Sequence, residues 1–309
     1  MKSVRLFAPG SVANVSCGFD VLGFCLEPIG DEMVIRRTDE GGIRISKIEG
    51  AALPMEIDKN VAGVAATAFL KDIPEKCGFD IEIYKRIKPG SGIGSSAASA
   101  CGAVFGMNAL LKNPLQPKEL IAYAMAGEAL ASGAAHADNL APVLLGGFTL
   151  IRSNNPLDVV ELPCPSKLHA TIFHPKIELK TAHARSILKK NIPLQKVVTQ
   201  SANLGAFISA LYTEDYELLS RSLSDAIIEP LRSMLIPEFD ALKAAALEAG
   251  ALGSGISGSG PSVFALSKGK KTAQEVAKAM EYIIKKQSVA YDIYVSSINT
   301  EGIKILDSQ

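Results

Sequence analysis

The stretch that decides the fold is a glycine- and serine-rich run that follows a strand-like segment. It reads Pro89-Gly90-Ser91-Gly92-Ile93-Gly94-Ser95-Ser96-Ala97-Ala98-Ser99. Its glycines stand at alternate positions, so the backbone can turn sharply and expose its N–H groups with no side chain in the way. Two serines then stand where a small-residue helix begins, and the free N–H groups of a helix N-terminus attract anions. The run therefore predicts a phosphate-binding loop, with an ordinary strand-to-helix turn as the alternative.

The segments around this loop predict a mixed α+β chain. Alternation of apolar and polar residues at 79–84 predicts the strand before the loop, and a helix is expected from about 96 to 111. Other strands are predicted at 4–8, 33–37, 43–48, 262–266 and 291–298, and other helices at 61–70, after 117, and at 197–212, 216–223, 237–249 and 272–286. Strands and helices do not alternate strictly, which favours α+β over a doubly wound sheet.

Length and composition bound the domain number and the class of protein. The 309 residues suit two domains, and the change of character near residue 163 predicts a division into 1–160 and 161–309. The 32 basic and 32 acidic side chains cancel, which argues against a general nucleic-acid binder. No stretch has the length of apolar sequence that a membrane span needs. The five cysteines show no CxxC spacing, so we expect a reduced, cytoplasmic protein.

A second glycine-rich run, residues 253–261, contains a formal GxGxxG pattern. A dinucleotide-binding fingerprint should follow a strand and open a helix. Here a helix is predicted before the run, and Pro261 with a strand-like segment comes after it, so the Rossmann interpretation fails. The loop at 89–99 is not a Walker A loop either, because no Gly-Lys-Ser/Thr closes it. The second run is predicted to be a turn that approaches a ligand or the first loop.

Several polar residues stand where an apolar core would not place them. Glu128 falls on the apolar stripe of the helix after Pro117, and a buried carboxylate must be paired, hold a metal or face a cavity. With a phosphate loop upstream, a magnesium ligand is favoured over a structural salt bridge. His136, Asp138 and Asn139 lie together between apolar stretches, although a structural cluster would also explain them.

Together these segments resemble the GHMP kinase family, named for galactokinase, homoserine kinase, mevalonate kinase and phosphomevalonate kinase. Three motifs match in order, at residues 9–20, 89–99 and 256–262. Within the family, the chain most resembles the members that phosphorylate L-homoserine. The matching residues are Ala13, Asn14, Gly18, Phe19, Asp20, His136, Ala137, Asp138, Asn139, Gly146, Gly147, Arg185 and Arg232. One departure is that Ser16 and Cys17 stand where the family usually has glycines.

The resemblance implies a fold and a set of roles. The fold is a two-domain GHMP kinase fold, with an N-terminal ribosomal-protein-like α+β domain that contains a left-handed βαβ unit and a C-terminal ferredoxin-like domain. ATP would be bound by Asn60, Lys88, Pro89, Gly90, Ser91, Gly92, Ile93, Gly94, Ser95, Ser96, Ala97, Ala98 and Ser99, with Asn60 near the adenine. Mg²⁺ would be held by Ser96 and Glu128.

The same resemblance implies a small-molecule substrate, L-homoserine, bound between the domains. Its carboxylate would meet Arg185 and Arg232, and its amino group would meet Asp20. Its hydroxyl would face His136 and the catalytic residues Asp138 and Asn139, with Asn14 completing the site. The protein would act in threonine biosynthesis as a homodimer that binds neither nucleic acid nor membranes.

Two alternatives remain open at this stage. The chain could be a sibling kinase that acts on mevalonate or another small alcohol, because paired arginines favour a carboxylate without demanding an amino acid. It could also be a non-catalytic RNA-binding protein with the same α+β fold. Zero net charge and the Ser96–Glu128 pair favour a kinase over the RNA-binding protein.

Overall fold

The architecture is that of a computed structural model, which describes residues 2–133, 136–177, 179, 181–287 and 289–309. The first half of the chain forms strands β1 (Ser3–Ala13), β2 (Leu22–Thr38), β3 (Gly42–Glu49), β4 (Gly78–Tyr84), β5 (Phe148–Asn154) and β6 (Leu157–Leu162). Its helices are α1 (Val61–Asp72), α2 (Ser95–Ala109), α3 (Pro117–Ser132) and α4 (Leu140–Leu145).

The second half continues the mixture of helices and strands. Its strands are β7 (Leu168–Pro175), β8 (Gly253–Ile256), β9 (Val263–Lys268), β10 (Tyr291–Ser297) and β11 (Lys304–Ser308). Its helices are α5 (Thr181–Ser186), α6 (Leu194–Thr213), α7 (Tyr216–Ser222), α8 (Glu229–Arg232), α9 (Phe239–Glu248) and α10 (Lys270–Ile284). The predicted α+β class is confirmed.

The first sheet has the strand order β11-β1-β2-β4-β3, with β5 beside one end of β2 and β6 beside β5. Strands β3 and β4 are parallel neighbours joined through α1, which is the predicted βαβ unit. Strand β2 is much longer than the predicted segment 33–37. Its first residues, Leu22 to Leu26, are all buried, so the sequence shows no alternation there.

The second sheet has the order β10-β7-β9-β8, and all its neighbouring strands are antiparallel. Along the chain these strands and their helices follow a βαββαβ pattern, which is the predicted ferredoxin-like arrangement. One expectation is wrong: residues 253–256 form strand β8 and are not part of a loop. Its glycines serve close packing, because a Cβ on Gly253 would lie 2.3 Å from Leu223.

One hydrophobic core reaches both sheets, and a second, smaller one packs α9 and α10 against the second sheet. The ring of Phe24 on β2 lies 5.1 Å from Phe148 on β5 and 6.1 Å from Phe264 on β9, measured between centroids. Strand β11 pairs with β1, so the end of the chain returns to the first sheet. The division into 1–160 and 161–309 stays a prediction. No helix among the described residues is long and apolar enough to cross a membrane.

Candidate active site

The predicted phosphate loop is a left-handed turn that leads into α2. Gly90, Gly92 and Gly94 have φ angles of 72°, 78° and 69°. A Cβ on Gly92 would lie 2.6 Å from the carbonyl oxygen of Gly260, so both the angle and the space require glycine here. Helix α2 begins at Ser95, close to the expected start. The sharp turn before a helix N-terminus is therefore confirmed.

The second glycine-rich run holds the first loop in place. The hydroxyl of Ser257 donates to the carbonyl oxygen of Gly92 at 2.7 Å, and that of Ser262 donates to Ser91 O at 2.6 Å. The expected approach of the second run to the first loop is thus confirmed for residues 257–262. Nδ1 of the buried His174 lies 3.1 Å from Ser262 Oγ. Because the Ser262 proton is directed to Ser91, His174 Nδ1 is the donor in this contact.

A buried ion pair lies behind the loop. Lys85 pairs with Asp31, and its ammonium also donates to Ser95 O and Ser99 Oγ at 3.0 Å. Burial lowers the pKa of Lys85, and the negative charge of Asp31 acts in the opposite direction. Asp31 also accepts the backbone N–H groups of residues 86 and 87. The pair therefore ties the end of β4 to the first turn of α2.

The predicted metal ligands are neighbours. The hydroxyl of Ser96, in the first turn of α2, donates to Glu128 Oε2 on α3 at 3.0 Å. Both residues line the same cleft as the phosphate loop. In the described part of the chain, no group of three or more His, Cys, Asp or Glu side chains could hold a metal ion. One hydroxyl and one carboxylate fit Mg²⁺, which takes most of its ligands from phosphates and water.

A cleft of about 430 Å³ brings most of the predicted site residues together. Those that line it are Asn14, Asp20, Pro89, Gly90, Ser91, Gly92, Gly94, Ser95, Ser96, Ser99, Glu128, His136, Asp138, Asn139, Arg185 and Arg232. Ile93, Ala97 and Ala98 are buried in the core instead, and Lys88 is exposed outside the cleft lining. Asn60 caps α1 by accepting from Ala62 N, and it donates to Pro54 O. Its contact with adenine stays a prediction.

Opposite charges meet in one part of the cleft, its charged end, which is formed by Asp20, His136, Arg185 and Arg232. Arg185 donates to both oxygens of Asp20, at 3.0 and 2.8 Å, and Nε of Arg185 is buried without a hydrogen-bond partner. His136 Nε2 lies 3.5 Å from Asp20 Oδ2. Arg232 is buried and donates to the carbonyl oxygens of Ala184 and Gly258. This arrangement presents both a negative group and unsatisfied positive groups to a ligand.

Arg232 is the more unusual of the two arginines. Among the described residues it has no salt-bridge partner, although only 2% of it is exposed. Burial lowers the pKa of Arg232, and the neighbouring charge of Arg185 acts in the same direction. The carboxylates of Asp20, Asp225 and Asp138 oppose this lowering without forming a salt bridge to Arg232 within the described residues, so the buried guanidinium has no directly bound counter-ion there and suits a ligand anion.

Comparison with known proteins agrees with these features. A family model for the GHMP kinase N-terminal domain matches residues 60–147, and a model for the GHMP kinase C-terminal domain matches residues 207–285. A homoserine kinase from Chloroherpeton thalassium is 46% identical over 99% of this chain and 100% of its own length. The chain belongs to the GHMP kinase family. Membership of this kinase family implies ATP as the phosphoryl donor.

Solved structures of GHMP kinases show the same architecture. A homoserine kinase from Cytophaga hutchinsonii superposes with a TM-score of 0.96 at 48% identity, covering 99% of this chain and 98% of that one. A mevalonate kinase from Methanococcus jannaschii superposes with a TM-score of 0.67 at 15% identity, covering 96% and 98%. The second likeness concerns the fold alone.

The catalytic pair predicted for this GHMP kinase lies between its phosphate loop and its charged end. Asp138 is buried, and burial raises its pKa to about 7, helped by the negative charges of Asp20 and Glu128. Asn139 accepts the hydroxyl proton of Ser11 through Oδ1 at 2.9 Å. Burial lowers the pKa of His136. Asp138 is thus the group that can take up a proton near neutral pH.

The departure from the family motif at residues 16 and 17 is accommodated by a left-handed turn. Asn14, Val15 and Ser16 have φ angles of 73°, 44° and 56°, which is unusual for residues other than glycine. Asn14 holds the turn by donating to Gly258 O and accepting from Asp20 N. Gln200 on α6 adds a hydrogen bond to Cys17 O at 3.1 Å. The loop that carries Asp20 is therefore fixed from two sides.

The sequence interpretation missed several residues of the GHMP kinase site. Lys85, Thr181 and Ser259 line the cleft, and His174 and Gln200 support its loops. One signal was available for Lys85, because it continues the inward-facing series Phe79, Ile81 and Ile83. For Gln200 and His174, no local pattern distinguishes them from other polar residues on a helix and a strand.

Proposed function

We propose that this GHMP kinase transfers the γ-phosphoryl group of ATP to the side-chain hydroxyl of L-homoserine, giving O-phospho-L-homoserine for threonine biosynthesis. The observation that carries the proposal is the buried guanidinium of Arg232, which makes no salt bridge among the described residues and lines the same cleft as the phosphate loop. Homoserine kinase is also the name of relatives that share 40–46% of their residues with this chain. The expected homodimer and cytoplasmic location stay predictions.

The charged end of the cleft is complementary to an amino acid. Arg232 makes no salt bridge among the described residues and both arginines line the cleft, so both are placed to donate to a substrate carboxylate. The carboxylate of Asp20 can accept hydrogen bonds from the substrate ammonium. His136 Nε2 lies close to this carboxylate of Asp20. In a bound zwitterion the carboxylate would pair with Arg232 and the ammonium with Asp20, beside the existing Asp20–Arg185 ion pair.

The reacting hydroxyl is expected to lie against Asp138 and Asn139. Asp138 accepts the hydroxyl proton as the oxygen attacks phosphorus, and its raised pKa suits this role near pH 7. The amide of Asn139 is oriented by its bond from Ser11, so its NH₂ group is free to direct the hydroxyl. Because phosphoryl transfer is loose, a large part of the catalysis comes from such positioning.

The phosphate end of the cleft stabilises negative charge. Backbone N–H groups of the turn at 90–94 and of the first turn of α2 are expected to donate to the phosphate oxygens. Ser96 Oγ and the Glu128 carboxylate would hold Mg²⁺, which neutralises charge on the β- and γ-phosphates when it is bound. The hydrogen bonds from Ser257 and Ser262 keep the loop from shifting.

A substrate panel tests the proposed function. With L-homoserine, ATP-dependent phosphorylation should exceed that with mevalonate, galactose or L-serine by at least about 10²-fold in kcat/KM, because a site built for paired charges leaves them unpaired with substrates that lack the matching group. L-Serine has both charges but a shorter side chain, so its hydroxyl would not reach Asp138. The measurement is a coupled assay for ADP together with detection of the phosphorylated product. Equal turnover of mevalonate and L-homoserine would overturn the proposal.

The proposed magnesium site has its own test. Glu128→Gln keeps the shape but removes the charge, so kcat should fall by about 10² to 10³, the size expected for loss of one electrostatic stabiliser. Ser96→Ala should have a smaller effect, because water can replace a hydroxyl ligand. Turnover is measured against Mg²⁺ concentration, with thermal melting and the exposed Glu217→Gln as the matched control. A much lower Tm with a normal Mg²⁺ dependence would show that Glu128 is only structural.

A further inference from the structure

The aromatic ring of Phe19 lies close to both arginines at the charged end of the cleft. The guanidinium carbon of Arg232 is 5.2 Å from the ring centroid, and that of Arg185 is 5.6 Å away. Phe19 stands next to Asp20 on the turn after β1, and it does not line the cleft itself. The ring is therefore placed to act on the arginines, without touching a ligand in the cleft.

Two like charges held near one ring need a source of stabilisation. Arg232 is buried, and burial and Arg185 lower its pKa against the opposing charges of Asp20, Asp225 and Asp138. Among the described residues its hydrogen bonds go to two backbone carbonyl groups. An acidic side chain could balance Arg232, but it would also compete with a substrate carboxylate for the same N–H groups. The face of an aromatic ring attracts a cation without carrying a formal charge, so it leaves the N–H groups available.

We propose that Phe19 is a positioning residue for the substrate carboxylate, acting on Arg185 and Arg232 through cation–π interactions. This inference rests on the proposed function and deepens it, because it names what makes the site select an amino acid that carries a carboxylate. The ring helps to keep Arg232 charged in a buried place and holds both guanidinium groups without using their N–H groups, so that the N–H groups not bonded to Asp20, Ala184 or Gly258 can donate to the carboxylate. An aliphatic side chain of similar size would fill the space but would not provide this attraction.

The expected size of the effect follows from the strength of cation–π contacts. Each contact is stronger when the cation is desolvated, and here one of the two cations is buried. Phe19→Leu should therefore raise the Kd and the KM for L-homoserine by about 5- to 50-fold. The KM for ATP should stay within about twofold, because the ring acts on the two arginines proposed to bind the substrate. Phe19→Tyr, which keeps the aromatic face, should retain most of the affinity.

A fluorination series separates the electrostatic role from a packing role. Phe19 is replaced by mono-, di- and trifluorophenylalanine, which keep the ring shape but progressively weaken its negative face. The Kd for L-homoserine, measured by calorimetry, should rise stepwise across the series while Tm and the KM for ATP stay constant. Phe69 is the matched control. This buried ring contacts the ring of Tyr123, and among the described residues no arginine makes a cation–π contact with it.

The outcomes distinguish this inference from the proposed function. If the unmodified protein neither binds nor phosphorylates L-homoserine, the proposed function is wrong. If it does both and the fluorinated series shows a constant Kd, the ring acts by packing alone and the inference is overturned. L-Homoserine amide provides a second comparison, since it lacks the anionic carboxylate. Its Kd should depend on fluorination much less than that of L-homoserine, and an equal dependence would contradict the role assigned to Phe19.

Discussion

Replacing Asp138 by Asn is expected to lower kcat by about 10² to 10⁴, the range in which a positioned general base contributes. The amide keeps the shape of the side chain and the contact with Asn139 N, but it cannot accept the substrate proton. The exposed Asp240→Asn on α9 is the matched control and should leave kcat unchanged. An effect below tenfold for Asp138→Asn would mean that positioning, and not proton removal, is what this residue contributes.

The pH dependence of the same variant gives a second measurement. Burial raises the pKa of Asp138 to about 7, so in the unmodified enzyme kcat/KM should rise with pH through about 7 as the base loses its proton. Asp138→Asn should lose this limb of the profile, because the remaining amide does not titrate. A limb near pH 7 that persists in the variant would assign the titration to another group.

Stability should change in the opposite direction from activity. In the folded protein the pKa of Asp138 is raised from its ordinary value to about 7, so the fold favours the protonated carboxyl. Its contribution to stability is complete below about pH 4 and is lost as the pH rises to about 7. Asp138→Asn removes the cost of keeping an ionised carboxylate buried at high pH. The Tm of the variant should therefore exceed that of the unmodified protein by more at pH 8 than at pH 5. Equal differences at both pH values would contradict the raised pKa.

Arg232→Ala should lower kcat/KM for L-homoserine by a factor of about 30 to several thousand. This factor corresponds to a loss of about 2–5 kcal/mol of binding free energy. Most of the loss should come from a higher KM, because the guanidinium is proposed to contact the carboxylate and not the reacting atoms. Arg232→Lys should restore little of it, since an ammonium cannot make two parallel N–H bonds. Initial rates at varied L-homoserine and ATP separate the two KM values.

The KM for ATP provides the control for this prediction. The KM for ATP should stay within about twofold in Arg232→Ala, and the exposed Arg221→Ala on α7 should change neither constant. Arg185→Ala should be less selective, because Arg185 is bonded to Asp20 and its removal also frees the ammonium-binding carboxylate. A rise in the KM for ATP alone would place Arg232 on the nucleotide side and contradict the proposed orientation of the substrate.

The phosphate loop could be predicted because its chemistry is local. The φ angles above zero at Gly90, Gly92 and Gly94 are the conformations that glycine permits at little cost, and the helix that follows begins where small residues replace the loop. Glu128 could also be predicted, because a carboxylate on an apolar helical stripe has few explanations. The ferredoxin-like second half and the substrate residues came instead from the resemblance to a family.

Strand β2 and strand β8 show where local patterns fail. The early part of β2 is buried along its whole length, so it lacks the alternation by which a half-exposed strand is found. In β8, glycine and serine are typical of a loop, yet they are required because Leu223 and Ser16 approach the backbone closely. In both cases the deciding contact comes from a distant part of the chain.

By itself, then, the sequence determined the α+β class, the sharp loop before α2 and the presence of an acidic residue near it. The tertiary structure alone decided the pairing of Lys85 with Asp31, the bond of Arg185 to Asp20 across 165 residues, and the contact of Phe19 with two arginines. It also decided the raised pKa of Asp138, since burial requires every neighbouring element to be in place. Backbone conformation depends mainly on adjacent residues. The pKa values and ion pairs depend instead on which distant side chains the fold brings together and shields from water.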